Sequence, residues 1–344
     1  MRYGPDNPKV QETLTIIRQL NANPALPNMK NYLQNVDVLD VEAHETLQQI
    51  FEDVSTMPEE ELNTLAAALD AESINGLEDI LLIEQSLDAY TFWPDVTTDR
   101  ELGQYLADSG FVYISEDVSP YVDYALLGLD YYTNHGGAYG PKGYAQRTGI
   151  IDPVFKAVIR SSDAEESAIA FLPLHARQVG KITGQLSVRE VSETYVEELR
   201  CAKPGRRELE QMPYLEGPSL QEANSLAHKL NAMRKTDGEY LKFLAALEAE
   251  QVSTFAGALA VADDLDSYTR FTGDLEDYGR DALRRMGTPQ QAIDSIEGYM
   301  DLEDFGRVMM VEDDVRQTRY GLIRKDWGED FPRQKQALEI GGLT

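Results

Sequence analysis

Residues 61–93 read ELNTLAAALDAESINGLEDILLIEQSLDAYTFW, and residues 239–271 read EYLKFLAALEAEQVSTFAGALAVADDLDSYTRF. The two stretches align without a gap at an offset of 178 residues, and 11 of the 33 positions are identical. Ala67-Ala68-Leu69 falls on Ala245-Ala246-Leu247, Leu87-Asp88 on Leu265-Asp266, and Tyr90-Thr91 on Tyr268-Thr269. The same offset returns further on, where Tyr121, Asp123, Gly128 and Gly143 meet Tyr299, Asp301, Gly306 and Gly321, with small gaps in between. A register kept across 87 residues reads as two tandem copies of one unit.

Apolar spacing predicts the elements of the first copy. Pro58 followed by Glu59-Glu60-Glu61 is a helix start, with Leu62, Leu65, Ala66 and Leu69 as the stripe behind it. The next helix, from about Asn75, buries Leu77, Ile80 and Leu81 and leaves Glu78, Asp79 and Glu84 outside. Ala89 to Trp93 is aromatic and β-branched, a strand or extended joint. Thr98 caps a helix through Leu102, Tyr105 and Leu106 that ends at Ser109-Gly110. Ser119-Pro120 opens another with Val122, Ala125, Leu126 and Leu129 inward, and Gly136 to Gly143 turns into a strand at Tyr144 to Arg147. Between the copies, Val154 to Ile159 and Tyr195 to Leu199 read as strands and Leu172 to Leu186 as a helix entered through Pro173.

The expected class is therefore α+β, an elongated multi-domain chain of small helical and mixed α/β modules, tandemly repeated. The expected divisions are residues 1–40, an N-terminal helix and linker; 41–152, the first acidic copy; 153–220, a neutral α+β module; 221–326, the second acidic copy; and 327–344, a C-terminal tail.

Charge separates the same pieces. Asn31 to His135 holds 23 Asp or Glu and one base, Arg100, a net charge of −22. Such a segment repels itself, so it is expected to have a use for its surface. Duplex DNA carries one charge per roughly 1.7 Å, so that charge corresponds to roughly 37 Å of duplex. Residues 1–152 have a net charge of −19, residues 153–242 zero, residues 243–315 −12 and residues 316–344 +2. Adaptation to salt or solubility would act on every exposed surface, and the neutral middle segment counts against it.

Composition narrows the class further. The 344 residues allow two or more domains, and 42% hydrophobic with 26% charged residues reads as globular. The lone Cys201 forms no internal disulfide, and no apolar run approaches the length of a membrane span, so a cytoplasmic location is expected. A pI near 4.4 argues against direct binding of nucleic acid and favours basic partners.

Catalytic motifs are weak. Asp263-Asp264-Asp266 or Glu312-Asp313-Asp314 could bind Mg²⁺ in a nuclease, but such sites need carboxylates converging in a pocket, and runs at helix ends are usually solvated. Gly136 to Lys142 lacks the Ser or Thr that would follow the lysine of a phosphate loop. His44, His135, His175 and His228 are too scattered for a zinc pair, and no Ser/His/Asp set can be nominated. No metal, cofactor or catalytic residue is expected. Tyr90, Tyr121, Tyr268 and Tyr299 recur in both copies, and recurrence of this kind points to core packing ahead of stacking as a base surrogate.

Gly76-Leu77-Glu78-Asp79-Ile80, Leu87-Asp88-Ala89-Tyr90-Thr91-Phe92-Trp93-Pro94, Glu101-Leu102-Gly103-Gln104-Tyr105-Leu106 and Tyr121-Val122-Asp123-Tyr124 with Gly128 resemble the ArdA-type antirestriction proteins of mobile elements, particularly their Gram-positive branch. Tyr299-Met300-Asp301-Leu302-Glu303-Asp304-Phe305-Gly306-Arg307 fits the same helix in the second copy, and the neutral module resembles the family's N-terminal domain. The resemblance implies a non-enzymatic mimic of bent duplex DNA that occupies the DNA-binding channel of type I restriction-modification enzymes, usually as an elongated homodimer. This chain departs from it by holding two copies, by lacking a clear β module before the first, and by a less acidic second copy, which together suggest a single-chain pseudo-dimer.

The candidate mimic surface in the first copy is Glu59, Glu60, Glu61, Asp70, Glu72, Glu78, Asp79 and Glu84, continuing through Asp95, Asp99, Glu101, Asp108, Glu116 and Asp117. In the second copy it is Asp263, Asp264, Asp274, Glu276, Asp277, Glu303, Asp304, Glu312, Asp313 and Asp314. The alternatives are an acidic adaptor for another basic protein and, behind it, a metal-dependent hydrolase. No membrane contact is expected.

Overall fold

Asn7 accepts a hydrogen bond from the Lys9 amide at 2.9 Å and Pro8 occupies the first turn, so the chain starts a helix, α1 (Pro8–Asn21), as soon as its apolar stripe begins. The computed structural model describes residues 1–162, 166–202, 218–233 and 237–326; the 327–344 tail lies outside the described residues. The fold is α+β and modular, in two units, Met1–Val188 and Arg189–Thr344. The division falls inside residues 153–220.

In the first unit, α1 is followed by α2 (Met29–Leu33), α3 (Val41–Thr56), α4 (Glu59–Ala71) and α5 (Leu77–Gln85). Val10, Ile16 and Leu20 of α1 are buried, as are Leu47, Ile50 and Val54 of α3, Leu65 and Leu69 of α4, and Ile80 and Leu81 of α5. Within this core His44 is buried with its Nδ1 2.8 Å from the Thr13 hydroxyl, a structural role; burial, then the charge of Lys9, hold its pKa below the ordinary histidine value.

A mixed α/β module follows: β1 (Tyr90–Pro94), α6 (Asp99–Asp108), α7 (Tyr124–His135), β2 (Ala138–Gly140) and β3 (Gly143–Arg147). The last strand lies in the middle of an antiparallel sheet, order β1-β3-β2, with Tyr90 opposite Arg147 and Ala138 opposite Ala145. Trp93 is stacked between Tyr105 and Tyr144, at centroid distances of 5.2 and 5.3 Å. Helices α6 and α7 touch through glycine. A Cβ on Gly103 would fall 1.9 Å from the Tyr124 carbonyl oxygen, and one on Gly128 1.8 Å from that of Asp99.

That contact corrects the stripe assigned to α7. Leu126 and Leu129 point outward, at 63% and 45% exposure, and Gly128 is the buried residue of the helix. Backbone contact at Gly128 sets the rotation of the helix, so the leucines are turned away from the face that meets α6.

The first unit closes with β4 (Phe155–Ser161), β5 (Ser167–Leu172) and α8 (Ala176–Gln185). Phe155 pairs with Leu172, so the helix expected from Leu172 begins only at Ala176. Gln85 ties α5 to the β5 backbone, accepting from the Phe171 amide at 3.0 Å and donating to the Ile169 carbonyl at 2.7 Å.

In the second unit, β6 (Thr194–Cys201) precedes α9 (Leu220–Met233), α10 (Asp237–Ala249) and α11 (Phe255–Asp263). Then come β7 (Tyr268–Phe271), α12 (Leu275–Arg285), α13 (Gln290–Ile296), α14 (Leu302–Glu312), β8 (Arg316–Thr318) and β9 (Gly321–Lys325). The sheet order is β7-β9-β8, again with the last strand in the middle. Helices α10 and α11 and strands β8 and β9 sit 178 residues beyond α4, α5, β2 and β3. The glycine contact recurs too: a Cβ on Gly279 would lie 2.4 Å from the Leu302 carbonyl oxygen, and one on Gly306 2.0 Å from that of Leu275. Gly279 stands 176 residues beyond Gly103, which locates a gap in the sequence register before α12.

Candidate acidic surface

The helix-start signal at Pro58 places Glu59 and Glu60 exposed in the first turn of α4, where the positive end of the helix dipole favours carboxylates. Among the described residues neither has a cationic partner. The same holds for Asp108 at the end of α6 and for Glu116 and Asp117 in the following loop, all exposed. Asp95 is exposed on a left-handed turn residue, φ 63°.

Other nominated acids of this unit serve the fold. Asp70 accepts from the Asn28 amide at 2.8 Å and the Tyr32 hydroxyl at 2.5 Å. Glu72 accepts from the Tyr90 hydroxyl at 2.9 Å and lies 3.3 Å from Arg147. Asp79 accepts from the Asn75 amide at 2.8 Å, and Asp99 from the Tyr139 hydroxyl at 2.8 Å. Glu101 accepts from the Thr97 amide and hydroxyl at 2.8 and 2.9 Å, and those hydrogen bonds hold its exposed carboxyl below the ordinary glutamate range.

A third group is neutralised from β4 and α8. Lys156 Nζ lies 2.7 Å from Glu42 and 2.6 Å from Glu78. Burial pulls its pKa down, but the two carboxylates outweigh that and hold it above the ordinary lysine value. Arg177 pairs with Glu61, and Lys181 with Glu84 and, at 3.2 Å, with Asp53.

Glu84 corrects the sequence reading, which left it outside: it is 5% exposed. Its carboxyl is pushed up to about 7, by burial first and by the charge of Asp53 next, against the opposing Lys181. The stripe of α5 is wide enough to take Glu84 inward because α8 supplies an amine on that side.

In the second unit the nominated acids are exposed except Asp313, which is half-buried. Glu276 and Asp277 pair with Arg280, the latter at 2.9 Å, and Glu303 and Asp304 with Arg307 at 2.9 and 3.3 Å. Asp263 pairs with Lys229, Asp264 with Lys325 at 3.1 Å, and Asp313 with Arg285 at 2.8 Å. Asp274 caps α12, accepting from the Asp277 amide at 3.0 Å. Glu312 and Asp314 are exposed, and among the described residues neither has a cationic partner; Asp314 has φ 53°.

The four recurring tyrosines split. Tyr90 and Tyr268 are 7% and 3% exposed, as core packing requires, but Tyr121 and Tyr299 are 88% and 94% exposed. Each of the latter ends a single 3₁₀ turn, Ser119–Tyr121 or Glu297–Tyr299, that enters the glycine-bearing helix through an aspartate cap, Asp123 or Asp301. Sequence reasoning missed their exposure because recurrence alone does not say which constraint recurs.

Among the described residues no group of three His, Cys, Asp or Glu is arranged to hold a metal ion, and no helix is long and apolar enough to cross a membrane. Residues 205–324 match the family described as antirestriction protein (ArdA). The match covers roughly a third of the chain and lies in the second unit, ending at the β9 strand. No curated protein matches the chain. The segment is thus ArdA-like, which supports an antirestriction role.

Proposed function

We propose that this chain is a non-enzymatic mimic of duplex DNA that occupies the basic DNA-binding channel of a type I restriction-modification enzyme and thereby inhibits it. The observation that carries the reading is the set of exposed carboxylates in the first unit, Glu59, Glu60, Asp108, Glu116 and Asp117, that lack cationic partners among the described residues. A basic channel gains affinity for DNA by releasing phosphate counterions, and fixed carboxylates draw on the same source. The ArdA match of the second unit supports the same direction. The duplicated architecture motivates a single-chain pseudo-dimer: two copies of one unit supply the two lobes for which a homodimer otherwise needs two chains. The setting is the cytoplasm of a cell carrying a mobile element.

The test is titration of the full chain into a type I methyltransferase bound to a fluorescent duplex, at two salt concentrations. Displacement near stoichiometric amounts that weakens with salt is expected. Absence of displacement at low salt overturns the reading. Sedimentation analysis is expected to give the mass of one chain, and an obligatory dimer would overturn the pseudo-dimer.

A second reading has its own observation. The uncompensated carboxylates belong to the unit that lies outside the ArdA match, which favours an acidic adaptor whose first unit binds a different basic protein. That reading expects binding that competes poorly with duplex DNA.

A further inference from the structure

Charge is half of what a DNA-binding channel meets; the other half is the flat face of a base. We infer that Tyr121, and more weakly Tyr299, present an exposed ring on which an arginine of the basic partner stacks. The inference rests on the mimicry reading and adds a chemical role to a position that charge does not explain.

The two rings are the most exposed tyrosine side chains at matching places in the two units, 88% and 94%. Neither sits on a loose loop. The Tyr121 amide donates to the Val118 carbonyl at 2.9 Å, closing the turn, and the Asp123 carboxylate accepts from the Ala125 amide at 3.1 Å to start the helix. In the second unit Asp301 accepts from the Asp304 amide at 2.9 Å. The same turn, extended residue and cap hold the ring outward although the residues around it differ, Pro120 against Gly298 and Tyr124 against Leu302. A core role would have buried these rings, as it did Tyr90 and Tyr268.

The charge around Tyr121 fits one occupant. Glu116, Asp117 and Asp123 are exposed within five residues of it, and no Lys or Arg occurs in the sequence between Arg100 and Lys142. A guanidinium lies flat on an aromatic face and keeps its edge free to donate to carboxylates, whereas an ammonium does neither as well. Base–aromatic and arginine–aromatic stacking are also how strand-binding grooves hold nucleic acid without reading sequence. Around Tyr299 the carboxylates are spoken for: Glu297 accepts from Arg280 at 2.8 Å, and Glu303 and Asp304 hold Arg307. An incoming arginine therefore finds less to bind there, which sets the order of the two sites.

The experiment is the duplex-displacement titration with full-length Tyr121→Ala, Tyr299→Ala, the double variant and Tyr121→Phe. Tyr121→Ala is expected to raise the displacement midpoint by roughly five- to tenfold, and Tyr299→Ala by about twofold. Tyr121→Phe, which keeps the ring, restores most of the loss. Because the rings are exposed, far-UV circular dichroism and melting temperature should not move. Displacement by Tyr121→Ala equal to that of the parent overturns the inference and leaves the mimicry reading standing. Failure of the parent itself removes both. A loss of mass in sedimentation on Tyr121→Ala overturns it in favour of a second copy of this chain on the same ring.

Discussion

In the first unit Glu59, Glu60, Asp108, Glu116 and Asp117 stand exposed with no cation beside them among the described residues. In the second, Glu276, Asp277, Glu303 and Asp304 stand equally exposed, and each is held by Arg280 or Arg307 on the same helix. The framework is the same, down to the glycine contact between two helices and the sheet with its last strand central. What differs is whether a carboxylate is open to a partner. A count of acids therefore misjudges a surface of this kind: beyond a Debye length of about 8–10 Å a close ion pair acts as a dipole and offers little to a basic channel.

The largest effect tests what the units share. Gly128→Ala and Gly306→Ala each drive a methyl group into a backbone carbonyl, and each is expected to destabilise its own unit by about 3 kcal/mol or more, read by denaturant unfolding. A small loss in one unit alone would break the equivalence of the frameworks.

The next tests what they do not share. Replacing Glu59, Glu60, Glu116 and Asp117 together by Gln or Asn is expected to raise the displacement midpoint roughly tenfold to a hundredfold at low salt, with no single member essential. Deleting the charge of Glu303 together with that of Arg307 leaves net charge unchanged and is expected to move the midpoint by less than about twofold. Equal effects from the two sets would erase the distinction between open and paired carboxylates.

A third, smaller effect belongs to the first unit alone, since Ala262 stands on α11 where α5 has Glu84. The Glu84 carboxyl is raised in the folded state from 4.5 to about 7. Its contribution to stability is therefore fully present below the unfolded value and is lost as pH rises through about 7. Unfolding of the first unit is expected to weaken by about 1–2 kcal/mol between about pH 5 and 8. Glu84→Gln should flatten that slope, and an unchanged slope would place the titrating group elsewhere. The smallest effect sharpens the comparison from the other side. Arg307→Gln frees Glu303 and Asp304 and is expected to lower the displacement midpoint about twofold.

Much of the framework was legible. The 178-residue offset located α10, α11, β8 and β9 from α4, α5, β2 and β3, and β-rich runs marked β4 and β6. The outward turn of Leu126 and Leu129 was not, because a backbone contact set by Gly103 and Gly128 overrode the apolar stripe. Nor were the partners of Glu78 and Glu84: Lys156 and Lys181 lie 78 and 97 residues further along the chain. The pairing in the second unit, by contrast, had a local signal. Arg280 follows Glu276 and Asp277, and Arg307 follows Glu303 and Asp304, at the helical spacings of four and three that bring charges together.

In each unit the strand that opens the sheet lies beside the strand that closes it. Tyr90 faces Arg147 and the Thr148 amide donates to the Ala89 carbonyl at 2.9 Å; Tyr268 faces Lys325 and the Asp326 amide donates to the Ser267 carbonyl at 2.6 Å. Residues 90–147 and 268–325 thus enter and leave at one spot, like a cassette with both terminals on the same edge. Such a piece can be excised, transplanted or multiplied by recombination without pulling its flanks apart, so an acidic block can be added to a chain, or exchanged for another, in a single genetic step.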